Sequence, residues 1–153
     1  MLKDELKIMR KILFLTRLFI CFLILNSNGI SKEIDFFTKG LKHFKKNELD
    51  KSKIMFEKDL VFNPKSEKSY LYLAKIFNLK NNAEQQEINL NNVLLINPKN
   101  DEAIYMLTLI KIDQSNYLEA KKLVDQFILV CESFCSKKNE IQKKLKKFMP
   151  KNE

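Results

Sequence analysis

The sequence has very little of the residue types on which most catalytic and metal sites depend. His43 is the one histidine in 153 residues, so no pair of histidine ligands and no H-E-x-x-H motif can form. Two glycines leave no glycine-rich loop that could hold a phosphate. The carboxylates are scattered among lysines, so no acid–base pair stands out. The sequence therefore predicts no enzyme, no catalytic residue, no metal and no cofactor, and His43 is expected to be a half-buried packing residue.

Residues that interrupt helices are also scarce, at two glycines and three prolines. So few breakers favour long helices with short connections. The formal net charge is +9, but the lysines crowd residues 137–151. They do not alternate with exposed aromatics and glycines, as they do in proteins that bind single-stranded nucleic acid. We therefore interpret the lysines as a solvated face and expect no nucleic-acid partner.

The chain instead carries an internal repeat. Asn63-Pro64 recurs as Asn97-Pro98, 34 residues further on, and Asn47, Asn81 and Ser115 share the same offset. Two more series have this spacing: Gly40, Ala74 and Thr108, and Phe56, Leu90 and Val124. A fixed period of this length is typical of a solenoid of helical hairpins, in which stacking buries the apolar faces that a single hairpin leaves open.

Each repeat is predicted to contain two helices joined by a short polar turn. Apolar residues recur at helical spacing through residues 33–131, which places helix-turn-helix units at 33–66, 67–100 and 101–134. A further helix at 135–150 has apolar residues on one face and lysines on the other. We predict an all-α fold in which this last helix caps the open end of the stack. The alternative is that it lies on an anionic membrane surface.

These units resemble the tetratricopeptide repeat (TPR), whose pattern is W-x2-L-G-x2-Y, then A-x3-F, then P. The matching residues are Tyr70, Leu73, Ala74, Phe77, Leu90 and Pro98 in the second unit, Phe36, Gly40, Phe56 and Pro64 in the first, and Leu107 and Ala120 in the third. Lys39 and His43 depart from the pattern. The resemblance implies a right-handed superhelical solenoid that holds a protein or peptide partner and has no enzymatic activity.

In TPR proteins the first helix of each hairpin lines a concave groove. Carried onto this sequence, the resemblance implies a groove that contains Phe37, Leu41, Phe44, Lys68, Tyr72, Lys75, Tyr105 and Leu109. Members that grip a terminal carboxylate use Lys, Arg and Asn there, whereas the first unit here has Phe37 and Leu41. The groove is therefore expected to bind an apolar segment or helix. The other interpretation is that several of these residues face the core.

Residues 1–29 have the layout of a secretory signal peptide, with a basic start, an apolar stretch at 12–25 and a small polar exit. Two other interpretations stay open. In one of them, residues 12–25 form an uncleaved membrane anchor, although about 20 apolar residues are needed to span a bilayer. In the other, Cys21 is the lipidated residue of a lipoprotein. Met1 and Met9 are both candidate starts. In each case we expect an exported protein, periplasmic or membrane-associated, in a bacterial cell envelope.

Cys131 and Cys135 lie one helical turn apart near the end of the third unit. Two thiols without further ligands do not make a zinc site. In an oxidising compartment they would join as a disulfide, and otherwise they would be two buried small hydrophobic residues. Both hypotheses stay open at this point.

Overall fold

The computed structural model describes Met9, residues 13–17 and residues 35–149. The chain divides into two units, Met1–Ile34 and Asp35–Glu153. The second unit contains the predicted repeats, and the rest of this description concerns it.

In the first unit residues 13–17 are helical. Most of the predicted signal peptide or anchor lies outside the described residues, including the candidate start Met1 and the candidate lipidation site Cys21. Among the residues that the structure describes, no helix has both the length and the apolarity to cross a bilayer.

The described part of the second unit contains helices and turns without a strand, so the all-α prediction is confirmed. Its seven helices are α1 (Phe36–Lys45), α2 (Leu49–Phe62), α3 (Glu67–Leu79), α4 (Ala83–Ile96), α5 (Asp101–Asp113), α6 (Tyr117–Val130) and α7 (Lys138–Phe148). Three hairpins pair α1 with α2, α3 with α4, and α5 with α6, and the second helix of each hairpin packs on the first helix of the next. Helix α7 packs on both α5 and α6, so it closes the stack.

Helix α7 begins later than the predicted capping helix, because residues Cys135–Lys137 form a separate short 3-10 turn. Its apolar residues Ile141 and Leu145 are buried, and Lys143, Lys146 and Lys147 are exposed. The amphipathic pattern therefore turns its apolar face to the hairpin stack.

The same turn joins the two helices of every hairpin. Its left-handed residue is Asn47 (φ 57°), Asn81 (φ 55°) or Ser115 (φ 59°). The next amide donates to the carbonyl five residues back, from Glu48 to His43 at 3.0 Å, from Asn82 to Phe77 at 2.9 Å and from Asn116 to Lys111 at 2.8 Å. This is the Schellman arrangement that ends a helix. Asparagine enters the left-handed region more readily than most residues, which explains two of the three positions.

Asparagine side chains also start several helices. Asn82, Asn100 and Asn116 accept hydrogen bonds from the backbone amides of Gln85 (3.0 Å), Ala103 (2.8 Å) and Glu119 (3.3 Å). Each bond satisfies one of the amides that the first turn of a helix leaves without a partner. The many asparagines of this sequence therefore have a local structural role at helix ends.

The two helices of the first hairpin approach each other closely at Gly40. A Cβ atom added to Gly40 would lie 2.6 Å from Cε1 of Phe56, which is fully buried. At the equivalent positions of the other hairpins the pairs are Ala74 with Leu90 and Thr108 with Val124, all buried. The residue on the first helix grows from Gly to Ala to Thr while its counterpart shrinks from Phe to Leu to Val. The three hairpins therefore fill this repeat position with pairs of side chains in which a larger residue on one helix accompanies a smaller one on the other.

Gly40→Ala should lower the free energy of unfolding by about 1–3 kcal/mol, because the new methyl group overlaps the Phe56 ring. Gly40→Ala/Phe56→Leu recreates the residue pair of the second hairpin. In the Phe56→Leu background the methyl group should therefore cost little, and the coupling between the two changes should exceed about 1 kcal/mol. Urea unfolding of the wild type, both single variants and the double variant measures this coupling, and strictly additive losses would contradict the packing described here.

Ser115→Gly should raise the free energy of unfolding by about 0.5–1 kcal/mol, because glycine adopts a positive φ without the steric cost that serine bears. Ser115→Ala is the matched control, since alanine bears the same steric cost and should give no gain. Thermal unfolding of the two variants checks this. An equal shift of both midpoints would show that backbone conformation at residue 115 does not limit stability.

Candidate functional site

An open cleft of about 840 Å³ lies against α3 and α5. The end of α1, the start of α4 and one side of α7 complete its wall. Apolar side chains line much of it, namely Phe44, Leu79, Tyr105, Met106, Leu109, Ile110 and Phe134. A cavity of this size with an apolar lining is typical of sites that bind side chains of a ligand or partner.

The charged residues of the cleft are already paired with one another. Lys75 Nζ lies 2.8 Å from Glu102 Oε2, and both side chains are about three-quarters buried. The same ammonium lies 4.9 Å from the centre of the Tyr72 ring. Lys144 Nζ lies 3.2 Å from Asp113 Oδ1 at the other end of the cleft. Two lysines therefore balance two carboxylates, and these two pairs leave no net charge in the cleft.

A hydrogen bond fixes α7 to α5 beside the cleft. Tyr105 Oη donates to Glu140 Oε1 at 2.6 Å, and Lys137 Nζ lies 2.8 Å from Glu140 Oε2. Burial, together with the bond to Glu140 and its negative charge, raises the pKa of Tyr105 to about 12. The hydrogen bond from Lys137, followed by that from Tyr105, lowers the pKa of Glu140. Tyr105 thus remains a neutral donor and Glu140 a charged acceptor at neutral pH.

The loop between α6 and α7 is tied to α5 by one carboxylate. Asp101 Oδ2 accepts hydrogen bonds from the backbone amides of Glu132 and Phe134, both at 2.8 Å. Partial burial raises the pKa of Asp101, but the amides of Phe134, Glu132 and Ser133 outweigh it and hold the pKa below its usual value. The Phe134 ring lies 6.0 Å from the Tyr105 ring, which brings it to the edge of the cleft.

A disulfide closes the same loop. Cys131 and Cys135 are bonded through their sulfur atoms, with their Cα atoms 5.1 Å apart. Cys135 is exposed and Cys131 is half-buried. The pair therefore does not have the arrangement of two buried hydrophobic residues, and the bond spans the loop that carries Phe134.

Solved structures that resemble this hairpin stack include TPR domains and a secretion chaperone. The first TPR of Spaghetti (RPAP3), bound to the HSP90 peptide SRMEEVD, is 18% identical, covers 73% of this chain and 89% of its own, and superposes with a TM-score of 0.65. The Sgt2 TPR domain from Aspergillus fumigatus is 14% identical over 80% of this chain and 87% of its own, with a TM-score of 0.63. The type III secretion translocator chaperone SycD from Yersinia enterocolitica is 11% identical over 82% of this chain and 90% of its own, with a TM-score of 0.66.

The fold is TPR-like. At these identities the similarity defines the architecture of the chain and leaves its ligand open. A scan of protein-family models finds no match to the sequence, and a search of curated proteins finds none either.

The TPR-like stack brings four of the eight predicted groove residues into the cleft: Phe44, Lys75, Tyr105 and Leu109. Phe37, Leu41 and Tyr72 instead pack in the core between the first hairpin and α3. The Tyr72 ring stacks on Phe56 with 5.2 Å between centroids. Lys68 is exposed at the start of α3 and does not line the cleft. The interpretation that some of these residues face the core therefore describes Phe37, Leu41 and Tyr72.

Other lining residues come from parts of the chain that the groove prediction did not include. Gln86 lies on α4, Phe134 in the disulfide-closed loop and Lys144 on α7. Phe134 is the last residue of the third unit and has Asn100 and Ser66 at the equivalent positions, and Lys144 lies beyond the repeats, so the repeat pattern contains no signal for either residue. The short loop after α6 was the one available indication, since it lacks the Asn-Pro pair that ends the other two hairpins.

His43 lies outside the cleft. It is half-buried at the end of α1, and its Nδ1 atom lies 2.5 Å from Glu48 Oε2. Within the described residues, no group of three or more His, Cys, Asp or Glu side chains could hold a metal ion. The contact of His43 is consistent with a role at the turn of the first hairpin.

Asp101→Asn should lower the free energy of unfolding by about 1–2 kcal/mol at pH 7, because two loop amides lose a charged acceptor. Since the folded-state pKa of Asp101 lies below the unfolded value of about 4, this stabilisation is present above pH 4 and is lost as the pH falls through the folded-state pKa. Urea unfolding at pH 7, 4 and 2.5 should therefore show the difference between wild type and variant shrinking with acid. Glu84→Gln, an exposed change on α4, is the control, and a difference that stays constant with pH would exclude this role of the carboxylate.

Proposed function

We propose that this protein is a non-enzymatic interaction scaffold that binds an apolar segment or helix of a partner protein in its cleft. The observation that carries the proposal is the combination of an apolar lining with lysines that are already neutralised within the chain. The TPR-like neighbours support it, since one is bound to a peptide and another is a translocator chaperone.

The charge pairing argues against an acidic ligand. A peptide carboxylate would have to displace Glu102 from Lys75, and separating a pair that is about three-quarters buried leaves a charge in a poorly solvated site. The Spaghetti domain is bound to SRMEEVD, a peptide with three acidic side chains. The cleft described here is better suited to a segment that brings apolar side chains and little charge.

Amide side chains define how such a segment would be held. Asn78, Asn81, Gln86 and Gln114 lie around the apolar lining of the cleft. Each amide offers both a donor and an acceptor, so together they can bond the polar backbone or side chains of a partner without requiring charge. A helix laid with one apolar face on Met106, Leu109 and Ile110 would use the helix-in-groove mode of recognition.

We also propose that the protein acts in the cell envelope, in the periplasm or at a membrane. The signal-like pattern of residues 1–29 supports this setting. The disulfide between Cys131 and Cys135 supports it independently, because such bonds persist in oxidising compartments. The mass of the protein isolated from cells tests the proposal, since a start near Ile30, an intact N-terminus and a lipidated Cys21 differ in mass.

Association with a membrane surface through α7 is the less favoured alternative. An interfacial helix inserts its apolar face into the lipid, but Ile141 and Leu145 are buried within the stack. Lys143, Lys146 and Lys147 are exposed, so a docked α7 offers a membrane mainly charge. The cleft therefore provides the better-supported site.

Peptide binding to the purified protein tests the cleft proposal. The probes are a fluorescent, uncharged helix-forming peptide of leucine, alanine and glutamine, and the acidic peptide SRMEEVD. We expect saturable binding of the uncharged peptide with little change between about 50 and 500 mM salt, because no free charge attracts it. Leu109→Glu should weaken this binding roughly tenfold or more, because it buries a charge in the apolar lining.

Leu118→Glu is the matched control for Leu109→Glu, because Leu118 is 71% exposed on α6 and does not line the cleft. This change should leave binding of the uncharged peptide unaltered. Preferential, salt-sensitive binding of SRMEEVD would contradict the proposed ligand chemistry. Equal loss of binding in both variants would contradict the proposed location.

A further inference from the structure

The chain between α6 and α7 contains none of the residues that most often end a helix. The first two hairpins end at Asn63-Pro64 and Asn97-Pro98, whereas Cys131-Glu132 occupies the equivalent position in the third. Residues 131–137 contain no proline and no glycine. Proline ends a helix through the backbone itself, because it disfavours a helical conformation in the preceding residue and has no amide hydrogen to donate. The break after α6 therefore has a different cause.

The disulfide is one cause of this break. The two Cβ atoms of a disulfide lie about 3.5–4.5 Å apart, whereas those of residues i and i+4 of a helix lie about 5–6 Å apart. The Cα atoms of Cys131 and Cys135 are 5.1 Å apart, less than the roughly 6 Å of such a pair in a regular helix. Cys131 is accordingly extended (φ −61°, ψ 136°), directly after the last residue of α6. The bond and a continuous helix through residues 131–135 therefore exclude each other.

Asp101 holds the break from the side of α5. Its Oδ2 atom accepts hydrogen bonds from the amides of Glu132 and Phe134, both at 2.8 Å. In a continuous helix the same two amides would donate to the carbonyls of Ile128 and Val130, four residues back. An amide has one hydrogen to donate, so the carboxylate and an extended α6 compete for it. Extension would also supply helix partners to the last carbonyls of α6, which favours it once the disulfide no longer excludes it.

The disulfide is accessible to a reductant, since Cys135 is exposed and Cys131 is half-buried. Exposed disulfides are more often labile or regulatory than buried ones. A thiolate of a dithiol reductant attacks Sγ of Cys135, the S–S bond breaks, and Cys131 leaves as a thiolate that takes up a proton. The second thiol of the reductant then displaces Cys135 from the mixed disulfide. Overall the protein gains two electrons and two protons, and the dithiol becomes a disulfide.

Phe134 connects the disulfide-closed loop to the cleft. Its ring lies 6.0 Å from the Tyr105 ring, and both residues line the cleft. The Tyr105 ring also lies 6.2 Å from the ring of Phe127 on α6. In a continuous helix Phe134 would be seven residues beyond Phe127, or about 10 Å further along the axis. The break after α6 is therefore what returns Phe134 to Tyr105 and to the cleft.

We propose that the bond between Cys131 and Cys135 is a redox switch for the cleft. With the bond formed, the chain is broken after α6 and Phe134 lines the cleft. With the bond reduced, α6 extends through Phe134 and the cleft loses this side chain from its wall. The reagent that operates the switch is a dithiol, as in the thiol–disulfide oxidoreductases. The effect on binding rests on the proposed function of the cleft, whereas the change in the loop does not.

Nuclear magnetic resonance of the full-length protein, before and after addition of dithiothreitol, tests the change in the loop. The oxidised protein should give non-helical Cα chemical shifts at residues 131–134 and a nuclear Overhauser effect between the rings of Phe134 and Tyr105. The reduced protein should give helical shifts there and lose this contact. Cys21→Ser should respond to dithiothreitol as the wild type does, because the third cysteine is not part of the bond. Cys131→Ser/Cys135→Ser should show the reduced form with and without the reagent.

A proline variant separates the break from the chemistry of the sulfur atoms. Cys131→Asn/Glu132→Pro/Cys135→Ser recreates the Asn-Pro pair that ends the other hairpins. The ψ angle of residue 131, at 136°, already has the value that a residue before proline adopts. Although the Glu132 amide is lost, the Phe134 amide can still bond Asp101. We expect this variant to keep Phe134 beside Tyr105 without a disulfide and to ignore dithiothreitol.

Binding of the uncharged leucine, alanine and glutamine peptide tests the consequence for the cleft. Reduction of the wild type should weaken binding roughly tenfold or more, because an aromatic side chain leaves the wall. Cys131→Ser/Cys135→Ser should bind as weakly as the reduced wild type, and the proline variant should bind as the oxidised wild type does.

Two results would overturn the switch: shifts and a ring contact that reduction leaves unchanged, or a response to dithiothreitol that persists in Cys131→Ser/Cys135→Ser. Equal peptide affinity of the two forms, despite a changed loop, would overturn its action on the cleft. If the oxidised protein does not bind the peptide, the proposed function is contradicted, and the resonance measurements still decide whether the loop switches.

Discussion

The close approach of α1 and α2 at Gly40 is the steric constraint on which the rest of the stack depends. Since no Cβ occupies that space, the Phe56 ring enters it, and Tyr72 of α3 stacks on this ring at 5.2 Å. Tyr72 is thereby turned into the core between the first hairpin and α3. One helical turn later Lys75 lies over the Tyr72 ring and reaches Glu102 on α5. The absence of a side chain at Gly40 thus contributes to the position of the Lys75–Glu102 pair in the cleft. Each contact in this series links one helix to a neighbouring helix.

The end of the third hairpin differs from the other two, and this difference completes the cleft. Where Asn-Pro ends the earlier hairpins, α6 leads into the loop between Cys131 and Cys135. Asp101 holds two amides of that loop, which turns Phe134 towards Tyr105 and directs the chain into α7. The stack is thereby closed, and Lys144 of α7 comes to Asp113. The helix that covers the last hairpin therefore also supplies one wall of the candidate site.

The repeat period predicted the features that depend on local sequence. It located the three hairpins and their turns, because positive φ angles at Asn47, Asn81 and Ser115 are needed at each repeat. The repeat period could not predict which side chains of α3 face the groove and which face the core. The first helix of a hairpin in a solenoid is covered on more than one side, and helical spacing does not identify the neighbour that covers each side. Tyr72 was therefore predicted in the groove, although Phe37, Phe44 and Phe56 surround it. The pairing of Lys75 with Glu102 joins residues 27 apart, which no local pattern encodes.

The geometry of the second helices explains why Val61, Leu95 and Leu129 are exposed. Phe56, Leu90 and Val124 are buried at one register of these helices. Five residues later the helix has turned through about 140°, so Val61, Leu95 and Leu129 must point away from that contact. A polar side chain would meet this requirement as well as an apolar one, and the other exposed positions of these helices include both kinds, with Glu84 and Lys121 charged and Ile54, Ile88 and Leu118 apolar. The fold therefore accounts for the exposure of Val61, Leu95 and Leu129 at all three repeats and places no requirement on the polarity of their side chains.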